Sequence, residues 1–168
     1  KRYDEVWVPD YADASHNLSG ELAHGGRFDH KVKYIGPLSR FSNLSANIVP
    51  AKTATSNYDS VAILSGLEPQ RTMFEKTLIE HATKTGEKML LVQGLVNRPP
   101  THIQRGNITI VPYLADEELV HHMQKTTTII ARSGYSTIMD LEVLGLLNKA
   151  QLHPTPGQSE QEYLASRL

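Results

Sequence analysis

The sequence predicts an α/β fold with a Rossmann-like, doubly wound parallel sheet. From residue 61 onward, short apolar runs that resemble strands alternate with longer segments in which apolar residues recur at helical spacing. Several of these runs end in small or polar residues, such as Ser65-Gly66 and Ser133-Gly134. Alternation of this kind favours parallel strands that are joined by right-handed crossover helices.

Each element of this pattern can be placed along the chain. Strands are predicted at 61–64, 89–92, 108–111, 127–131 and 149–153, and helices at 69–84, 116–125, 136–144 and from 158 onward. In the strand order 3-2-1-4-5, the strand ends at Ser65 and Arg132 lie side by side, where ligands bind in open parallel sheets. Residues 6–8 and 32–35 also look like strands, and 40–57, rich in Ser, Asn and Ala, is expected to be a connection.

Composition and charge exclude several classes of protein. A chain of 168 residues is long enough for one domain with a full core. Because 17 basic residues nearly balance 18 acidic ones, we expect no nucleic-acid partner. The sequence has no cysteine, which excludes disulfides and thiolate metal sites. It has neither an apolar run long enough to cross a bilayer nor the pattern of a signal peptide, so we expect a cytoplasmic location.

The turn at Ser133-Gly134 is the best candidate for binding a phosphate. It directly follows a predicted strand, and a helix is expected to begin two residues later. Amides at such a turn would point out of the sheet edge, and a helix amino terminus carries roughly half a positive charge. The alternative is an ordinary helix start, with Ser136 or Thr137 as N-cap and a capping box between Thr137 and Asp140. The local sequence leaves both interpretations open.

Three polar residues could bind the rest of a nucleotide ligand. Asp140 lies one turn inside the predicted helix, where a carboxylate can accept two hydrogen bonds from a ribose diol, although the capping box would also explain it. Gln161 and Glu162 begin the last predicted helix and could bind neighbouring sugar hydroxyls. The alternative for this pair is a solvated first helical turn.

Other motifs carry less information. Ser65-Gly66 is a glycine turn after the first long strand, but it forms neither GxGxxG nor a Walker loop, which disfavours NAD binding and ATP hydrolysis. Arg71 could approach a diphosphate from this loop or be an ordinary surface residue. The eight histidines include no HExxH pair, and no serine lies in a GxSxG motif, so we predict neither a metal site nor a serine nucleophile.

Two motifs occur together near the end of the chain. They are Ala-Arg-Ser-Gly-Tyr-Ser-Thr-Ile-Met-Asp at 131–140, followed by Leu-Gly, and Pro-Gly-Gln-Ser-Glu-Gln-Glu-Tyr at 156–163. In this order they closely resemble the carboxyl-terminal domain of family 28 glycosyltransferases, which include the enzyme that adds N-acetylglucosamine to lipid I. The resemblance covers about residues 33–168 and is specific in the last 40.

The resemblance implies the carboxyl-terminal half of a two-domain GT-B enzyme that binds a UDP-sugar without a metal or other cofactor. Residues 1–38 would be the tail of the amino-terminal domain and the crossing, and 39–168 the donor-binding domain. By residue, it implies that Ser133 and Gly134 meet the diphosphate with Thr137 nearby, that Asp140 holds the ribose, that Tyr113 and Leu114 border the base, and that Gln161 and Glu162 grip the sugar. The family usually has glutamate where Asp140 stands, and the loop at 65–70 has lost glycines found in the family.

The leading hypothesis is the donor-binding domain of an inverting, metal-independent glycosyltransferase that moves a hexosyl group to an unknown acceptor. Because the chain begins with charged residues and stops within a helical pattern, we expect a piece of a longer protein. The acceptor site, the catalytic base and any peripheral membrane association would then belong to the other half. The alternatives are a nucleotide-sugar hydrolase or epimerase of the same fold, a non-catalytic donor-binding subunit of a split glycosyltransferase, and a plain flavodoxin-like module.

Overall fold

A six-stranded sheet forms the centre of the computed structural model, which describes residues 3–27, 29–45 and 57–168. In chain order the strands are β1 (Val6–Val8), β2 (Val32–Tyr34), β3 (Ser60–Ile63), β4 (Met89–Val92), β5 (Ile103–Arg105), β6 (Ile108–Val111), β7 (Thr128–Arg132) and β8 (Ala150–His153). The helices are α1 (Ser42–Ser45), α2 (Gln70–Thr85), α3 (Asp116–Lys125), α4 (Tyr135–Val143) and α5 (Ser159–Arg167). Short 3₁₀ helices lie at Gly20–Leu22, Asp29–Lys31 and Leu147–Lys149.

The strand order of the large sheet is β5-β6-β4-β3-β7-β8. The pairs β6-β4, β4-β3, β3-β7 and β7-β8 are parallel, and β5 pairs antiparallel with β6. The predicted order of the parallel strands is therefore confirmed, as is the α/β class with helices between the strands. The parallel order reverses at β3, which has β4 on one side and β7 on the other.

Helices cover both faces of this sheet. β4 is buried along its whole length, as expected for a strand that is covered on both sides. Val61 packs with core residues of α3 and α4, whereas its neighbour Ala62 packs with those of α2. Because successive strand residues point to opposite faces, α2 lies on one face and α3 and α4 lie on the other.

The first two strands form a separate parallel pair. β1 and β2 pair in register Val6 to Val32 and Val8 to Tyr34, which confirms the strands predicted in this region. Within the predicted connection at 40–57, residues 42–45 form the short helix α1, and residues 46–56 lie outside the described part of the chain.

Hydrogen bonds join the two sheets at the carboxyl end of β1. The hydroxyl of Tyr135, the first residue of α4, donates to the carbonyl of Pro9 at 3.0 Å. The hydroxyl of Tyr11 donates to Glu142, near the end of α4, at 3.1 Å. The carboxyl ends of β1 and β7 are therefore held together at the start of α4. Among the described helices, none has the length and apolar character needed to span a bilayer.

Candidate functional site

A cleft of about 400 Å³ opens at the carboxyl ends of the parallel strands. Its walls come from segments that follow different strands, because the sheet order brings these strand ends to one edge. Its lining includes Arg40 before α1, Ser65 after β3, Gly94 after β4, Tyr113 and Leu114 after β6, and Ser136, Thr137 and Asp140 in α4. The cleft therefore contains the predicted residues Ser65, Tyr113, Leu114, Thr137 and Asp140.

The floor of the cleft is apolar. It is formed by side chains at the ends of two strands, β3 and β4, and in two helices, α3 and α4: Ile63, Leu64, Val92, Leu119, Met123 and Leu141. Most of these side chains belong to the core on the α3 and α4 face. A flat apolar ligand group could be buried here, while polar groups at the rim would fix its orientation.

The amino terminus of α4 is uncapped where it meets the cleft. Gly134 is the N-cap in an extended conformation, no side chain accepts a capping hydrogen bond, and the first turn carries no acidic residue. The capping box between Thr137 and Asp140 is therefore wrong, because α4 begins at Tyr135 and Thr137 lies inside its first turn. First-turn amides have no acceptor within their own helix, so this end can accept an anion.

Ser133 does not present its amide to the cleft, contrary to the prediction. The residue is fully buried, its amide donates to the carbonyl of His153 at 3.3 Å, and its hydroxyl donates to the carbonyl of Gln161 at 2.8 Å. The reason is that the hydrogen bonding between β7 and β8 continues one residue beyond the paired strands. Gly134, which is half-buried, remains at the helix start.

Ser39 and Arg40, which precede α1, contact the carboxylate of Asp140. Ser39 donates a hydrogen bond of 2.6 Å from its hydroxyl to Oδ1 of Asp140, and Nε of Arg40 lies 3.7 Å from Oδ2. Burial raises the pKa of Asp140, and the contacts with Ser39 and Arg40 lower it in part. The carboxylate therefore has an oriented geometry and a hydroxyl partner that a ligand hydroxyl could replace.

Arg40 is a cleft residue that the sequence did not indicate. Its guanidinium lies 3.2 Å from Asp116 and 4.5 Å from the centre of the Phe41 ring, and its side chain is 55% exposed. Phe41 itself is buried in the core. Arg40 falls in a polar segment without helix or strand periodicity. The only local sign that this segment packs against the core is Phe41, the aromatic residue that comes next in the chain.

Gln161 and Glu162 do not line the cleft. Oε1 of Gln161 accepts the amide of Thr155 at 2.9 Å, and Glu162 accepts the amide of Gly157 at 3.3 Å. Both residues therefore shape the loop between β8 and α5. The structure thus places Gln161 next to the turn at Ser133, and both side chains already use part of their hydrogen-bonding capacity.

The loop after β3 contributes less than its position suggests. Ser65 and Gly66 are exposed, and Ser65 lines the cleft. The guanidinium of Arg71 is paired with Glu68 at 2.5 Å and with Glu75 at 3.2 Å, and only 11% of its side chain is exposed. Arg71 is therefore neither a free cation nor an ordinary surface residue.

A larger, more open groove of about 860 Å³ lies between residues 11–18 and the end of α5. Its polar side chains are paired with one another, as in the contacts of Tyr11 with Glu142 and of Arg167 with Asn17. The smaller cleft is the better candidate because it lies at the carboxyl edge of the sheet and has an uncapped helix end.

The described ranges contain no group of three or more His, Asp or Glu side chains that could hold a metal ion. Comparisons of the chain with protein-family models, with curated proteins and with solved structures gave no match.

Proposed function

We propose that this chain is the donor-binding domain of a metal-independent glycosyltransferase that takes a hexosyl group from a UDP-sugar. The observation that carries the proposal is the cleft, where Asp140, the uncapped start of α4 and an apolar floor adjoin at the carboxyl edge of the sheet. The paired motifs at 131–140 and 156–163 support a GT-B enzyme of the family 28 type. A second domain would then supply the acceptor site.

The apolar floor suits the base of the nucleotide. In this arrangement the base lies over Ile63 and Leu119, and Tyr113 and Leu114 border its edge. The backbone groups of Leu114 provide both a donor and an acceptor, which a uracil edge requires. The ribose then reaches Asp140, where its two hydroxyls replace the hydroxyl of Ser39 as donors to the carboxylate.

The phosphates would lie at the start of α4. The amides of its first turn point along the helix axis, and Arg40 lies at the rim with a largely exposed side chain. Because Ser133 is buried, this proposal assigns the phosphate contact to Gly134 and the first residues of α4. Gln161 keeps its side-chain NH₂ group for a sugar hydroxyl, since Thr155 uses only its oxygen.

In the proposed reaction an acceptor hydroxyl attacks C1 of the sugar, the bond from C1 to the diphosphate oxygen breaks, and the configuration at C1 is inverted. The hydroxyl proton goes to a base of the acceptor-binding domain. Negative charge develops on the departing diphosphate, where helix amides and Arg40 can stabilise it. One preorganised donor of this kind typically contributes about 3 kcal/mol.

Calorimetric titration with UDP and 2′-deoxy-UDP tests this assignment. We expect the folded chain to bind UDP, and Asp140→Ala to weaken binding about tenfold or more, because a charged hydrogen-bond acceptor is lost. The deoxy analogue should bind the wild type more weakly than UDP does. This difference should disappear in Asp140→Ala, since both changes remove the same contact.

Asp4→Ala is a suitable control, because it removes an exposed aspartate outside the cleft. It should leave both affinities unchanged. A folded wild-type chain that binds no UDP would reject the proposal. An equal preference for UDP over its deoxy analogue in the wild type and in Asp140→Ala would reject the role of Asp140.

A further inference from the structure

Among the described residues, Arg132 is a buried cation without a carboxylate partner. It is the last residue of β7, and it is only 6% exposed. Its guanidinium donates to the carbonyl of Pro154 at 2.7 Å and to the carbonyl of Gln70 at 3.3 Å, and it lies 4.0 Å from the centre of the Phe74 ring. In the part of the chain that the structure describes, no Asp or Glu oxygen lies within 4.0 Å of it.

Such a charge is costly to bury. Burial lowers the pKa of Arg132, but a guanidinium stays protonated in proteins, so the charge is retained at neutral pH. Two carbonyl groups and an aromatic ring compensate it only in part, and buried charges are ordinarily paired with an opposite charge. The contrast with Arg71 is direct, because Arg71 lies nearby in α2 and has two glutamate partners.

The position of Arg132 indicates that its negative partner would be a bound anion. The residue directly precedes the turn that leads into α4, and its two carbonyl partners belong to the start of α2 and to the loop after β8. These segments lie at the carboxyl edge of the sheet, where the cleft also opens. The uncapped end of α4 adds its partial positive charge at the same edge. The two charges reinforce each other, so an anion bound there would be favoured.

We propose that Arg132 is the electrostatic anchor of the phosphate groups at the amino end of α4, acting through space from the end of β7, where its guanidinium contacts the start of α2 and the loop after β8. This inference rests on the donor site proposed above. It adds a buried fixed charge to the contacts that the amides of α4 and Arg40 make with the diphosphate.

A matched control exists at the opposite edge of the sheet. Lys149 also donates to two backbone carbonyls, those of Gln124 at 2.6 Å and Thr126 at 2.9 Å. It precedes β8, whereas Arg132 ends β7, so it lies at the amino ends of the strands. Removing the charge of Lys149 also removes a cation that is bonded to two carbonyls. It leaves unchanged the carboxyl edge of the sheet, where the phosphates would bind.

The test compares the affinities of UDP and uridine, whose ratio measures the contribution of the phosphates. We expect Arg132→Gln to lower UDP affinity about tenfold or more and to leave uridine affinity unchanged, while Lys149→Gln changes neither. Arg132→Lys keeps the charge but cannot make the same forked contacts, and it should retain most of the wild-type ratio. Titrations monitored by NMR cover the weak uridine complex, and circular dichroism verifies that each variant is folded.

The outcomes separate this inference from the proposed function. If the wild type prefers UDP over uridine and folded Arg132→Gln keeps that preference, the donor site stands and the role of Arg132 is overturned. An equal loss of UDP and uridine affinity in Arg132→Gln would show that Arg132 only supports the local structure, and would overturn its proposed role. If Arg132→Gln does not fold, a folded Arg132→Lys variant that loses the preference overturns the inference. A folded wild type that binds neither ligand overturns both proposals.

Discussion

At the scale of single residues, the environment of Asp140 predicts a pH dependence. Burial raises its pKa, with Ser39 and Arg40 lowering it in part, so folding favours the protonated carboxyl group. The stability that this group contributes is therefore present at acidic pH and is lost as the pH rises through its raised pKa. Nucleotide binding has the opposite sense, because the ionised carboxylate is the better acceptor for two ribose hydroxyls.

We therefore expect UDP affinity to fall as the pH is lowered through the raised pKa of Asp140, which lies above the usual aspartate value of about 3.9. Titrations between about pH 7 and about pH 4 would measure this loss. Asp140→Asn has a similar shape but does not titrate, and it should show a flatter profile. The same slope in both proteins would assign the effect to another group.

Local sequence identified residues near strand ends better than it identified their contacts. Tyr113, Thr137 and Asp140 line the cleft because the strand order brings their segments together, and that order results from alternating strands and helices. The contacts of Ser133 and Arg71 were not predictable. Each of these side chains bonds to residues far along the chain or on the next helical turn, and a motif does not show which polar group is already used.

At the scale of elements, the glycine after β4 controls how closely two strand ends approach. Gly94 has a φ of +71°, and a Cβ atom there would lie 2.6 Å from the carbonyl oxygen of Leu64. That oxygen belongs to the backbone after β3, so it cannot move aside as a flexible side chain could. Alanine at this position would be strained in conformation and would also clash.

We expect Gly94→Ala to lower the free energy of unfolding by about 3 kcal/mol, measured by chemical denaturation. Gly106 provides the matched control, since its φ is +60° but a Cβ atom there would meet nothing within 4 Å. Gly106→Ala should cost only about 1 kcal/mol, from conformational strain alone. Equal losses in the two variants would contradict the close approach of Gly94 to Leu64.

β5, which was not predicted from the sequence, is far more exposed than the predicted strand β4. β4 reads as a continuous apolar run because both faces are covered, so its pattern is strong. All three residues of β5 are exposed, and Ile103 is the only apolar one. An edge strand of this kind is held mainly by backbone pairing with β6, which leaves little trace in the side chains. The start of α4 was predicted one residue late because its N-cap is a glycine without a capping side chain.

At the scale of the whole molecule, the two sheets have different means of support. The large sheet has a core on each face, whereas β1 and β2 pair only with each other among the described strands, and Trp7 is 64% exposed. Two strands alone are marginally stable, so the small sheet depends on the loop after β1 for support. There, the buried carboxylate of Asp10 accepts the amides of Leu18 and Ser19 and orders the loop.

The hydrogen-bond donors around the Asp10 carboxylate lower its pKa. Burial alone would raise the pKa of Asp10, but hydrogen bonds from Leu18, Ser19 and His24 outweigh it and lower the pKa to about 2.

The domain boundary predicted between residues 38 and 39 stays a prediction, as does the cytoplasmic location.

Amide hydrogen exchange of the whole chain, with and without UDP, tests whether the cleft is the nucleotide site. Without ligand, we expect β3, β4 and β7 to exchange slowly and β1 and β2 much faster, because only the former lie in the large core. With UDP, protection should increase at the start of α4 and at residues 113–114. Residues 11–18, which line the larger groove, should be unchanged. Protection of residues 11–18 in place of the start of α4 would contradict the proposed site.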